Sequence, residues 1–423
     1  MTECGVKERK LELYLHIPFC RQKCQYCDFL SAPSDQSTQE QYVKALKKEI
    51  RKRAEIFHSY SVPSIFIGGG TPSVLPAEAL AGILDTVYAS FSVEKTAEIT
   101  IECNPGTLNK EKTEDYKSAG INRISLGLQS VHNRELQLLG RIHTYEQFLM
   151  SYDLVRKAGF DNVNVDLMSG LPGQTLADWQ GSLKKIVSLQ PEHISAYSLI
   201  IEEGTPFYAR FGEDEQRREE GQEPLYLPTE ETEREMYDWT GEYLAGHGYR
   251  HYEISNYARP GRECRHNIGY WRRENYLGLG LGSASLIENV RFSNTTDMNE
   301  YLMAQDGCGL GNISNIGSVD NDGNDGIERQ QGENRTQLCG AENLQHLSRR
   351  EQMEEFMFLG LRMMEGVSRL EFRSAFGVEL EGVYGDVIRR LCDKGLLMQQ
   401  AGYVFLTEEG ISVSNYVMSE FLE

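Results

Sequence analysis

Short strand-like runs and amphipathic helical stretches alternate six times through the first half of this chain, and that rhythm limits its fold more than any other feature. The strand-like runs cover residues 12–16, 64–67, 98–102, 123–127, 162–167 and 193–199. Helical periodicity fills the gaps, over residues 39–58, 76–89, 110–118, 131–139, 145–157 and 176–188. A strand joined through a helix to the next strand makes a parallel βαβ unit. Six in series predict an α/β fold, a partial (β/α)6-type barrel over residues 1–204. In a barrel of this kind chemistry gathers at the C-terminal ends of the strands.

The rhythm stops after residue 204, and residues 205–304 read as an extension of the barrel. Residues 213–223 are a charge run, expected as a solvated loop. Residues 229–245 read as a helix with Thr229 as its N-cap. Residues 249–256 read as a strand leading into a loop that ends in HNIGYW. Residues 305–348 are rich in Gly, Asn and Asp, and are expected to be a flexible insertion or linker. Residues 349–423 read as a separate α+β unit: helices over 350–364, 369–376 and 381–394, a hairpin turning at Ala401 and Gly402, and a last helix over 408–421. Helices followed by a hairpin suggest a winged-helix-like domain. DNA binding would need a basic face. From Arg369 onward there are five Lys/Arg against nine Asp/Glu. The expected role is therefore packing or partner docking.

The whole chain points the same way. Its 423 residues carry 43 Lys/Arg and 63 Asp/Glu, a net charge of −20, which argues against nucleic acid as the main partner. No apolar run approaches the length of a transmembrane span. The first residues lack a charged n-region followed by an apolar h-region. A cytoplasmic protein is expected.

Nine cysteines are present, and three of them fall within eight residues. The segment LYLHIPFCRQKCQYCDFLS spaces Cys20, Cys24 and Cys27 as C-x3-C-x2-C, just after the first strand. An odd cysteine count with such a cluster does not look like a disulfide framework. Three thiolates suit a soft metal or an iron–sulfur cluster. A structural zinc ion would take four ligands, usually from two separated pairs. No second pair is present, although His16 is available as a fourth ligand. Three ligands in one tight loop leave one iron of a [4Fe–4S] cubane open to chelate a small molecule. Tyr26 and Phe29 would wall the loop. Cys308 and Cys339, inside the insertion, read as incidental.

The spacing, its place after the first strand and a Gly-rich end to the second strand, SIFIGGGTPSVL, resemble the radical SAM superfamily. The resemblance implies a [4Fe–4S] cluster on Cys20, Cys24 and Cys27, with S-adenosylmethionine (SAM) on the open iron. In that superfamily the reduced cluster passes an electron to SAM, yielding methionine and a 5′-deoxyadenosyl radical. The glycine run resembles the motif that meets SAM's amino group, which assigns Gly69, Gly70 and Thr71 to SAM contact. Glu102, Gln129, Arg141 and Asp166 stand near successive strand ends. Arg141 suits SAM's carboxylate by bidentate pairing. Glu102 and Asp166 suit its ammonium or ribose hydroxyls, and Gln129 an amide-type contact. These positions are also similar to the SAM-contact pattern of the oxygen-independent coproporphyrinogen III oxidase family, where a first-strand Tyr lies at the site. That carries over to Tyr14.

Within that family the chain resembles the heme-chaperone branch, apart from residues 306–345. YLHIPFC, KCQYCDF, IFIGGGTPS, SLGLQS, DLMSGLPGQT and HNIGYW all fit. The oxidases carry a fourth cysteine just beyond the third, which Cys27-Asp28-Phe29 lacks. They also carry a long N-terminal extension, for which a cluster beginning at residue 20 leaves no room. The resemblance implies heme as a cofactor, heme-accepting proteins and an electron donor as partners, and a transient encounter with a membrane-associated acceptor. It makes HNIGYW a heme-binding candidate through His266, Asn267, Tyr270 and Trp271. His266 offers an axial ligand, Tyr270 and Trp271 offer apolar faces, and Arg265, Arg272 and Arg273 could pair with propionates. Cys264 is a second possible ligand. The alternative is that this segment closes the barrel around the SAM pocket. A porphyrinogen oxidase remains the competing function.

Overall fold

A computed structural model describes residues 9–307 and 341–422. Six parallel strands lie side by side in chain order: β1 (Glu12–Ile17), β2 (Ser61–Gly69), β3 (Ser92–Cys103), β4 (Arg123–Gln129), β5 (Val163–Ser169) and β6 (His193–Ser198). Helices α1 (Gln36–Phe57), α2 (Ala77–Ser90), α3 (Lys110–Ser118), α4 (Asn133–Leu138), α5 (Tyr145–Lys157) and α6 (Leu176–Ser188) make the crossovers. This is the expected partial (β/α)6 barrel, with the expected elements shifted by a few residues at their ends.

The strands are two-faced. In β1, Leu13, Leu15 and Ile17 alternate with Glu12, Tyr14 and His16. The leucines and the isoleucine join the large apolar core together with Leu46 and Ile50 of α1 and Leu80, Ile83 and Leu84 of α2. The polar set faces the barrel interior. Helix starts are fixed locally: Asp35 caps α1, and Thr144 with Gln147 and Thr175 with Asp178 form capping boxes on α5 and α6.

Beyond β6 several expectations change. Residues 213–223 are not a loop. They lie largely in helix α7 (Pro206–Glu219), which starts at Thr205 as N-cap and buries Phe207, Phe211 and Asp214. Helix α8 (Glu230–Ala245) follows, capped by Thr229 as expected. Of residues 249–256, expected as one strand, 250–253 form β7 (Arg250–Glu253), and a two-residue turn leads into β8 (Asn256–Ala258), which pairs antiparallel with β6. HNIGYW is not a loop but most of helix α9 (Arg265–Trp271). On the other edge β9 (Tyr276–Leu279) pairs parallel with β1, followed by β10 (Ala284–Ile287) and β11 (Val290–Asn294) in antiparallel order.

Helix α10 (Met298–Gly307) runs into the segment expected to be a linker. At the segment's far end, β12 (Ala341–His346) is a strand paired with β11. The rest of that insertion, with Cys308 and Cys339, lies outside the described residues.

The C-terminal unit has its own apolar core. It holds α11 (Arg349–Gly360), β13 (Val367–Ser368), α12 (Arg369–Phe376), α13 (Leu380–Asp393), the hairpin β14 (Leu397–Gln400) and β15 (Tyr403–Leu406), then α14 (Glu408–Ser412) and α15 (Ser414–Ser419). The last expected helix is thus two, broken at Val413. The winged-helix-like order is otherwise as expected.

Candidate cluster and cofactor site

At the C-terminal ends of the barrel strands opens a cavity of about 390 Å³. It is lined by Cys20, Cys24 and Cys27, by Gly69, Gly70 and Thr71, and by Glu102, Gln129, Arg141 and Asp166. Ten of the eleven cluster and SAM candidates therefore converge on one space. The eleventh, Tyr14, lies beneath it: its hydroxyl meets His16 Nδ1 at 3.1 Å and its ring stacks on Phe66.

The cysteine loop is pinned from several sides. His16 Nε2 meets Leu30 O at 2.9 Å, so this nitrogen holds the loop's far end and is not the fourth metal ligand. Gln25 N donates to Leu139 O, and Phe207 N at the start of α7 donates to Gln25 O. The glycine run explains itself here. A Cβ on Gly70 would lie 2.7 Å from Phe19 O, and one on Gly69, at φ +109, would lie 2.5 Å from the His16 ring. At these two positions the space a side chain would need is taken by the loop and by His16, rather than being kept for a ligand.

The thiols suit a cluster better than a single ion. The further ligand near the loop, His16 Nε2, is engaged by Leu30 O, so the three thiols lack the fourth partner a structural zinc ion would take. Among the described residues, a set that converges closely enough for one ion is His132, Glu135 and Asp178. Arg134 already pairs with Asp178 at 2.7 Å, and Ser130 and Gln174 donate to Glu135. Its charges are met by the protein.

The rest of the cavity wall fits a zwitterionic, cationic ligand. Glu102 is half-buried, and desolvation, with Asp166 close by, pushes its carboxyl up to about 8. Burial raises Asp166 as well, although Asn164 Nδ2 at 2.7 Å and Ser125 Oγ at 3.2 Å donate to it. Arg123 lies close enough to lower both, and the two raised, half-buried carboxyls still suit an ammonium or hydroxyl donors. The Arg141 guanidinium also lines the cavity, and its Nε is buried and has no partner. It is a donor held ready for a carboxylate. Gln129, at φ +75, accepts from Tyr197 OH at 3.0 Å. Sequence reasoning missed Asn104, Met168, Tyr197 and Ile200, which also line the cavity. Asn104 directly follows the third strand and Tyr197 lies near the end of the sixth, so strand-end position was the available signal.

The second candidate cluster lies elsewhere. Helix α9 closes the opposite end of the barrel. Glu98 on β3 accepts from the backbone N–H groups of Arg265 and His266 and from Cys264 Sγ. The His266 side chain is 1% exposed. Its Nδ1 meets Ser64 Oγ at 2.9 Å, its Nε2 meets Tyr270 OH at 3.0 Å, and its ring stacks on Phe66. Burial holds it near 3, far below the ordinary histidine range, so it is neutral. In this arrangement neither ring nitrogen is open to an iron. The expected axial ligand is instead the peg of a plug, because the barrel interior needs a neutral polar group among Glu12, Ser64 and Glu98. Trp271 packs with Tyr252, Ala258 and Met363, beneath the Arg362 guanidinium. Arg273 pairs with Glu355 and Arg272 with Glu365, so two of the proposed propionate partners are engaged with the C-terminal unit.

Fold and site together define a radical SAM protein: residues 14–186 match the model of the radical SAM superfamily, and residues 347–413 match the HemN C-terminal domain. The whole chain resembles coproporphyrinogen III oxidase (HemN) from Escherichia coli in fold, with a TM-score of 0.77 at 21% identity over 98% of this chain and 90% of that one. More specifically, the chain belongs to the family of the heme chaperone HemW. It is 35% identical to the Lactococcus lactis protein of that name over 97% of this chain and 96% of that one. The figures are 34% for the Bacillus subtilis protein (97% and 98%) and 33% for the Escherichia coli protein (99% of both).

Proposed function

We propose that the protein is a heme chaperone that binds heme, holds a [4Fe–4S] cluster with SAM beside it, and passes heme to acceptor proteins. The observation that carries this reading is similarity along nearly the whole chain to proteins named heme chaperone. The site supports the cofactor part. Cys20, Cys24 and Cys27 would hold the cluster. Gly69, Gly70, Thr71, Glu102, Gln129, Arg141 and Asp166 would hold SAM, with Tyr14 supporting the floor. Bound together, the two supply reductive cleavage chemistry. The protein's own part is to exclude water with Tyr26 and Met168, to meet a cation with Glu102 and Asp166, and to meet a carboxylate with Arg141. A protein electron donor would reduce the cluster, and a transiently met, membrane-associated protein is one class of heme acceptor. His266 is not assigned as the heme ligand, because it is committed to the barrel plug.

A second reading, a radical SAM oxidase acting on a porphyrinogen, is favoured by the completeness of the cavity. One experiment separates the two. The anaerobically purified, cluster-loaded protein is titrated with heme and, in parallel, incubated with coproporphyrinogen III, SAM and reductant. Stoichiometric heme absorption without decarboxylated product is the expected result. SAM-dependent product would make it an oxidase, and absence of heme binding would remove the chaperone reading.

A further inference from the structure

Arg141 is placed to act on the cluster as well as on SAM. Its Nη1–H donates to Cys24 Sγ at 3.4 Å. Its Nη2 donates to Gly127 O at 2.5 Å and to Asn104 Oδ1 at 3.0 Å. These contacts fix the plane of the guanidinium, leaving Nε as the donor without a partner. On the other side of the loop, Thr71 Oγ1 donates to Cys20 Sγ at 3.5 Å. Thr71 is buried and its hydroxyl makes no capping bond to the short helical turn it precedes. Two of the three cysteine sulfurs thus receive a hydrogen bond from outside the loop, one of them from a half-buried cation.

We propose that Arg141 and Thr71 set the reduction potential of the cluster, independently of any role in holding SAM. The inference rests on the cluster reading of the three cysteines. Accepting one electron adds one negative charge to the cluster. A guanidinium against a ligand sulfur stabilises the more negative state. A hydroxyl donor does the same more weakly, since it carries no net charge. Both groups therefore hold the potential higher than the bare loop would have it, within easier reach of a one-electron donor.

The test is a potentiometric titration of the SAM-free, cluster-loaded protein with dithionite and mediators, following the electron paramagnetic resonance signal of the reduced cluster. Arg141→Gln is expected to shift the midpoint to more negative potential. Thr71→Val, which keeps the side-chain shape, is expected to shift it in the same direction by less. Iron and sulfide content and the oxidised absorption spectrum are measured first in each protein. If wild type holds no cluster, the cluster reading fails, and that failure is distinct from a failure of this inference. An unchanged midpoint in a fully loaded Arg141→Gln protein overturns the inference and leaves Arg141 as a SAM ligand only. Should Arg141→Gln not assemble a cluster, Thr71→Val decides: a midpoint equal to wild type overturns the inference, and a negative shift supports it.

Discussion

Glu102 shows how much a single half-buried group can say. Its carboxyl is raised from an ordinary 4.5 to about 8, by burial first and Asp166 second. The folded chain therefore keeps a proton that the unfolded chain has already lost. Stability from the protonated form is full below the unfolded value and is lost as pH rises through the folded one. In ligand-free protein, urea midpoints should fall between about pH 5 and pH 8.5, and Glu102→Gln should flatten that part of the profile. A wild-type profile no steeper than the variant's would count against this. His266 makes the opposite kind of statement. Truncating it to Ala leaves a cavity and an unpaired Ser64, at a cost of about 2–4 kcal/mol in denaturant unfolding. Heme stoichiometry should be unchanged. If heme binding is lost while stability is kept, His266 is a ligand and the plug reading is wrong.

Among the elements, α7 was the one most misread, and its physics says why. Its charged residues were legible, but its buried stripe is only Phe207, Phe211 and Asp214, starting before the charge run. Asp214 makes structural sense only in three dimensions. Its carboxylate accepts from the backbone N–H groups of Leu225, Tyr226 and Leu227 at 2.5, 2.8 and 2.8 Å. It thereby fixes a loop whose Leu225 is 70% exposed. Asp214→Ala should raise amide exchange at those three residues about 10- to 100-fold, the equivalent of roughly 1.4–2.8 kcal/mol of lost local protection. Exchange in β1 to β6 should not change. A protected loop in the variant would mean that another contact holds it. By contrast, the six strands and their helices were legible because each carries its own period, and four of the helices carry a side-chain cap as well. The cavity residues were legible because strand ends define one rim. Where α9 sits was not. HNIGYW holds a histidine beside aromatics, a pattern shared by a ligand site and a plug, and only the pairing of Ser64, Glu98 and Tyr270 around it tells them apart.

At the scale of the molecule, the barrel and the C-terminal unit have separate apolar cores and meet at a seam where the small Tyr252–Ala258–Met363 cluster is flanked by polar contacts. Ile254 N donates to Arg362 O and Met364 N to Tyr252 O, adding main-chain bonds across the boundary. Beside them Glu355 of α11, itself buried, accepts from Arg273 Nε at 2.7 Å and Arg291 Nη2 at 2.7 Å. The Arg273 side chain is only 9% exposed. A buried ion pair adds little over an apolar contact, but removing one partner strands the other charge. Glu355→Ala should therefore weaken docking by about 3 kcal/mol, the usual cost of breaking such a pair. Neither apolar core is touched. Calorimetry of wild type should show the two units melting together, while the variant should melt in two steps, with the C-terminal unit first. Adding Arg273→Met removes the stranded charge and should bring the two transitions back toward each other, a non-additive recovery that marks a direct pair. A variant that melts in one step at the wild-type temperature would mean that the main-chain bonds and the Arg362–Trp271 contact hold the seam without the ion pair.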